Sequence, residues 1–109
     1  MRWSPARPPR PGCPHRRLSV LLARELPKAV VPAASTFRPW ASASFIGARH
    51  IFPCRIEPAA GRTGAMRADL QQRLSVIEWR LPGHIVADVV VERSDDPHSL
   101  RIEILTVED

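Results

Sequence analysis

Eight of the chain's 12 prolines fall within its first 40 residues, and no other feature restricts the fold as much. Proline fixes φ and removes a backbone donor, so dense proline excludes both helix interior and central strand. The run Met1 to Arg16 carries five of them and reads as polyproline II or disordered chain. Charge divides at the same place. Residues 1–40 hold eight basic side chains against Glu25 alone, and residues 41–109 hold eight basic against ten acidic ones. The pI of about 10.9 therefore belongs to the first part, and the remainder is mildly acidic. The sequence predicts a basic, proline-rich disordered arm or leader over residues 1–42 and one small α+β domain over residues 43–109. A short amphipathic helix over residues 17–26 is the one regular element the arm suggests, and ten residues are marginal for an isolated helix.

Hydrophobic periodicity defines the domain. Residues 44–57 alternate, with Ile46, Ala48, His50, Phe52, Cys54 and Ile56 on one face and Phe45, Gly47, Arg49, Ile51, Arg55 and Glu57 on the other. Period two over such a length means a strand, and Pro53 inside it points to an edge strand or a bulge. Met66, Leu70, Leu74 and Ile77 recur at helical spacing, which predicts a helix from Thr63 to about Trp79, stopped by Pro82-Gly83. Residues 84–93 alternate again, with Ile85, Ala87, Val89 and Val91 on one face and Val86, Asp88, Val90 and Glu92 on the other. Ser94 to Ser99 is turn chemistry, and Leu100 to Val107 is a third strand. The expected fold is β-α-β-β, a three-stranded, mostly antiparallel sheet with one helix on one face.

A domain of this size buries only about 60% of its unfolded surface and leans on a staple or a partner. Cys13 and Cys54 do not make a disulfide framework, so free thiols in a reducing, cytoplasmic setting are expected, with self-association as the stabiliser. No run approaches the ~18 apolar residues of a membrane span. An exported or organelle-targeted alternative rests on Arg16-Arg17 before a short apolar run and on Ala41-Ser42-Ala43 as a cleavage site. Arg24, Glu25 and Pro27 cut that run short, and the eight prolines oppose an amphipathic transit helix.

Four clusters bear on chemistry. His84 and Asp88, four apart on one strand, share a face by period two, and a His–carboxylate pair serves as a base with its orienter or as half a metal site. His50 and Cys54 share the other kind of face, the core-facing one, where a cysteine is usually a small hydrophobe. Asp95-Asp96-Pro97-His98 offers acids and His98 in a loop, yet lacks the spacing of a calcium loop and reads as turn capping. Gly61-Arg62-Thr63-Gly64 precedes a helix but matches no phosphate-loop spacing. No nucleophile or third ligand stands at a diagnostic spacing from His84 and Asp88, spacing alone does not exclude Cys/His catalysis at His50 and Cys54, and no cofactor is implied.

The sequence therefore favours a non-catalytic binding or assembly module, a homodimer or a protein docked through the uncovered sheet face. Ile51, Val86, Val90, Leu105 and Val107 are the expected contacts, and Arg49, Asp88, Glu92 and Arg101 the rim. The alternatives are a small metal-binding or enzymatic subunit using His84 and Asp88 with His50 or His98, and a polyanion-binding protein acting through the arm, where Trp3, Phe37 and Trp40 could stack on bases.

Overall fold

The computed structural model describes residues 13–58 and 63–109. Its order is α1 (His15–Glu25), β1 (Val30–Pro32), β2 (Thr36–Ala41), β3 (Ile46–Ile56), α2 (Thr63–Ser75), β4 (His84–Arg93) and β5 (Ser99–Glu108). The fold is α+β, as the periodicity indicates, and every strand pairing is antiparallel. The count differs from expectation. The sheet has five strands rather than three, and a second helix precedes it. All the additional elements come from residues 15–41, which composition assigns to the arm. Trp3 and residues 59–62 of the connector, Gly61 and Arg62 among them, lie outside the described residues.

Two physical facts explain this. The helix begins directly after Pro14, whose carbonyl accepts from Leu18 N–H at 2.8 Å, and its Leu18 and Leu22 are buried in the common core. Packing supplies what the propensity of 11 residues does not. Prolines 32 and 39 lie in β1 and β2, which both pair with β3 alone. An edge strand tolerates proline where its nitrogen faces away from the ladder.

Pro53 makes the opposite point. Strand β3 is central, flanked by β1 and β2 on one side and by β5 on the other, not at an edge. The Pro53 carbonyl accepts from Ala33 N–H at 2.8 Å, and in a strand the N and C=O of one residue point to the same side. The nitrogen that lacks a hydrogen therefore faces the break between β1 and β2, so the one bond proline forgoes, that to the Ala33 carbonyl, falls where the ladder already ends.

Both helices pack on one face. Leu18 and Leu22 of α1 and Leu70 and Leu74 of α2 join Phe52, Cys54, Ile56, Val89, Val91, Leu100, Ile102 and Ile104 in one core cluster. Helix α2 ends at Ser75, short of the expected Trp79. The Ser75 hydroxyl bonds back to the Gln71 carbonyl, a contact that competes with the next helical turn. Pro82-Gly83 is then not a helix stop but a type II turn opening β4. Gly83 has φ +80°, and His84 N–H reaches the Leu81 carbonyl at 2.9 Å.

Strand β4 carries a bulge between Val86 and Asp88. One extra residue reverses the alternation. His84 and Val86 pair with Glu108 and Thr106 on the helix side, whereas Ile85 and Asp88 pair with Val107 and Leu105 on the open side. Val86 accordingly packs against the core, and Ile85, 53% exposed, takes the open-face place that uniform period two gave to Val86. At the outer edge of β4, Gln71 of α2 holds the backbone. Val91 N–H donates to Gln71 Oε1 at 2.7 Å, and Gln71 Nε2 donates to the Val89 carbonyl at 2.8 Å.

Candidate functional site

The bulge separates the residues that period two brings together. His84 is on the helix side and Asp88 on the open side of the same strand, so they do not form a pair. Asp88 turns back on the bulge and accepts from Val89 N–H at 3.0 Å. His98 lies in the β4–β5 loop at the opposite end of β4 from His84. There Asp96 accepts from His98 N–H at 2.8 Å, an Asx turn. Among the described residues no three of His, Cys, Asp and Glu are grouped as a metal site.

His50 does acquire partners, and none of them is Cys54. Its Nδ1 lies 2.9 Å from Nδ1 of His15, and its Nε2 lies 2.8 Å from Thr106 Oγ1. His15 Nε2 continues to Ser35 Oγ at 2.8 Å, and the Thr106 hydroxyl reaches the Ala48 carbonyl at 3.3 Å. The Ala48 carbonyl can only accept, which fixes the direction of the chain. Thr106 donates to Ala48 and accepts from His50 Nε2–H, His50 Nδ1 accepts from His15 Nδ1–H, and Ser35 donates to His15 Nε2. Every group is satisfied with both imidazoles neutral. The two rings are nearly coplanar, 13° apart with centroids at 5.2 Å, so the nitrogens face each other along the line joining the rings. Imidazoles sharing a metal converge on a point off that line; this geometry is an N–H···N hydrogen bond. Phe37 and Phe52 pack beside both rings.

Thr106, His50 and His15 stand in the order nucleophile, base and orienter, which is the arrangement to test for acyl transfer. The environment removes the chemistry. His50 and Thr106 are both fully buried, and burial, then the rings of His15 and His84, pushes His50 down to about 4. A base so weak does not activate a hydroxyl near neutral pH. Burial also lowers His15. Cys54 is no better placed. Burial pushes its thiol up to about 11, and its S–H is directed to the Phe52 carbonyl at 3.5 Å, so the thiolate a nucleophile needs does not form. The network is a polar joint that fastens α1 to the sheet.

The remaining candidate is the open face. Register places on it the row Trp40, Gly47, Val107, Ile85, then Arg38, Arg49, Leu105, Asp88, then Thr36, Ile51, Glu103, Val90. Arg101 and Glu92 face each other in the row beyond. Ile51, Val90, Leu105 and Val107 are half-buried there, and Trp40 lies against Gly47. Glu103 forms ion pairs with Arg49 at 3.6 Å and Arg101 at 3.3 Å. Charge is unevenly spread across the strands. On this face β2 and β3 carry Arg38, Arg49 and Arg55 and no acid of their own, and β4 carries Asp88 and Glu92 and no base of its own, while Glu103 and Arg101 of β5 stand between them.

Sequence patterns did not reveal His15 as a partner, because 35 residues separate it from His50. The one available signal was His50 itself, a polar side chain on a core-facing position, which must find a buried partner. No family model matches the chain, and no curated protein and no solved structure matches it. No helix of the described residues is long and apolar enough to cross a membrane.

Proposed function

We propose that the protein is a non-catalytic assembly module that pairs with a second copy of itself through the open sheet face. The observation that carries the proposal is the division of charge across that face. A twofold axis parallel to the strands, between β3 and β5, lays β2 of one copy over β4 of the other. Arg38 then meets Asp88 of the second copy twice, while the apolar row stacks Trp40 on Ile85. A twofold axis across the strands would instead lay arginine on arginine. Self-complementarity under one rotation is what an isologous interface requires, and sheets packed face to face in this way form a sandwich.

The test is light scattering behind size exclusion on the full chain. A dimer is expected, and Val90→Asp, which sets an acid on the half-buried apolar part of the face on β4, should return it to a monomer with unchanged helix content. A wild-type monomer at every concentration reached, or a Val90→Asp protein that elutes as the wild type does, sinks the proposal. A wild-type monomer would make a different protein the occupant of the face.

A further inference from the structure

A groove of about 540 Å3 runs beside α1, between the helix and the 81–84 turn. Arg17, Leu21 and Arg24 follow one side of the helix, with Arg16 and the half-exposed Val20 at its lip and Leu81 and Pro82 as the opposite wall. It shares Cys13, Pro14, Pro82 and His84 with a second cavity of about 250 Å3, walled by Phe37, Pro39, Ile46 and Ala48. The two adjoin at these four residues and together make up the trough beside α1.

Its chemistry has a sense of direction. Among the described residues, the charged side chains lining the larger part are three arginines, with no carboxylate. The single acid among the described lining residues, Glu108, lines the smaller part, opposite His84 on the neighbouring strand, and Leu21, Leu81, Pro82, Phe37 and Ile46 supply apolar wall. Arg17 is held by its Nε–H to the Arg80 carbonyl at 2.9 Å, which leaves its terminal nitrogens as donors in a fixed fork. Residues 1–12, which lead into Cys13, carry Arg2, Arg7 and Arg10 and no acid, so their charge is wrong for this trough.

We infer that the trough beside α1 binds a small anionic amphiphile, a carboxylate with a hydrocarbon tail, with its head at Arg17 and Arg24 and its tail between Leu21 and the Leu81-Pro82 wall toward Phe37. The arginines supply charge-assisted hydrogen bonds to the head, and the walls take the tail out of water. The proposal is independent of the open face, which lies on the other side of the sheet.

The experiment is titration calorimetry on the full chain with decanoate, kept below its micelle-forming concentration, beside decanol and butyrate. Decanoate is expected to bind saturably, one to a chain. Butyrate, without the tail, and decanol, without the charge, should each bind at least about tenfold more weakly. The double variant Arg17→Gln/Arg24→Gln should lose about tenfold in decanoate affinity. Val20→Asp, which adds an acid at the lip and disturbs no core residue, should do the same. Heat that never saturates, decanol binding as tightly as decanoate, or affinity unchanged in both variants overturns the inference. So does binding seen only with phosphatidylglycerol vesicles, which would make α1 a membrane-surface helix instead.

Discussion

His15 and His50 meet through their Nδ1 atoms at 2.9 Å, and the space between the rings holds one proton. Charging His50 places a second N–H against that of His15, in a site already short of water. Burial first, and then the rings of His15 and His84, push His50 down to about 4 in the folded chain from about 6.5 unfolded. The unfolded state binds the extra proton, so this group's contribution is whole above pH 6.5 and lost progressively as pH falls to about 4. The loss amounts to about 3 kcal/mol. Urea unfolding as a function of pH should show that acid-side slope, and the double variant His15→Phe/His50→Phe should flatten it. An equal slope in the variant would show that the carboxylates alone cause it.

Gly47 admits no side chain. A Cβ there would lie 1.9 Å from the Thr106 carbonyl oxygen and 3.0 Å from the Trp40 ring. Backbone cannot yield as a flexible side chain does, so Gly47→Ala is expected to cost about 3 kcal/mol by overpacking. Gly64→Ala, which meets nothing within 4 Å, should be neutral or mildly stabilising in its helix. Thermal melts of the two variants make the comparison, and equal melting temperatures would contradict the close approach of Thr106 of β5 and Trp40 of β2 to Gly47.

Charge reversal tests the orientation of the proposed dimer as well as its existence. Arg38→Asp alone should weaken self-association by about tenfold, and Asp88→Lys alone similarly. Both changes in one chain should restore it, because a twofold axis along the strands pairs the two positions with each other. Sedimentation equilibrium reads the three variants. Failure of the double variant to recover would rule out that axis.

The two thiols should react at different rates. Cys13 is exposed and Cys54 is buried, with its thiol held well above the usual range. A disulfide reagent at neutral pH is expected to modify Cys13 at once and Cys54 only as fast as the chain unfolds. Two equally rapid phases would mean that β3 opens locally.

Much of the fold was legible where burial obeyed a simple period. Strands β3, β4 and β5 and helix α2 were recognisable from alternation and from the spacing of Met66, Leu70 and Leu74. What escaped depended on tertiary context. Leu18 and Leu22 offered one turn of amphipathic pattern, too little to outweigh the surrounding prolines, and only contact with the sheet makes that helix stable. The bulge at Val86/Asp88 left no mark in a run that is apolar from Ile85 to Val91 except for Asp88, yet it sent His84 and Asp88 to opposite faces and exchanged Ile85 for Val86. The His15–His50 joint could not be found by spacing at all, since the fold alone brings those residues together.

Gln71 has a further effect. Its side-chain amide offers a donor and an acceptor in the arrangement of a peptide group, and it binds Val89 and Val91 as one residue of a sixth strand would. An incoming chain finds those positions taken, and nearer His84 it meets the bulge. The other margin of the sheet is broken between β1 and β2 and studded with Pro32 and Pro39. Neither margin is a template for end-to-end addition of strands, so growth into fibrils by that route is blocked at both ends. Copies joined face to face use up their one shared surface, and such an assembly stops at two.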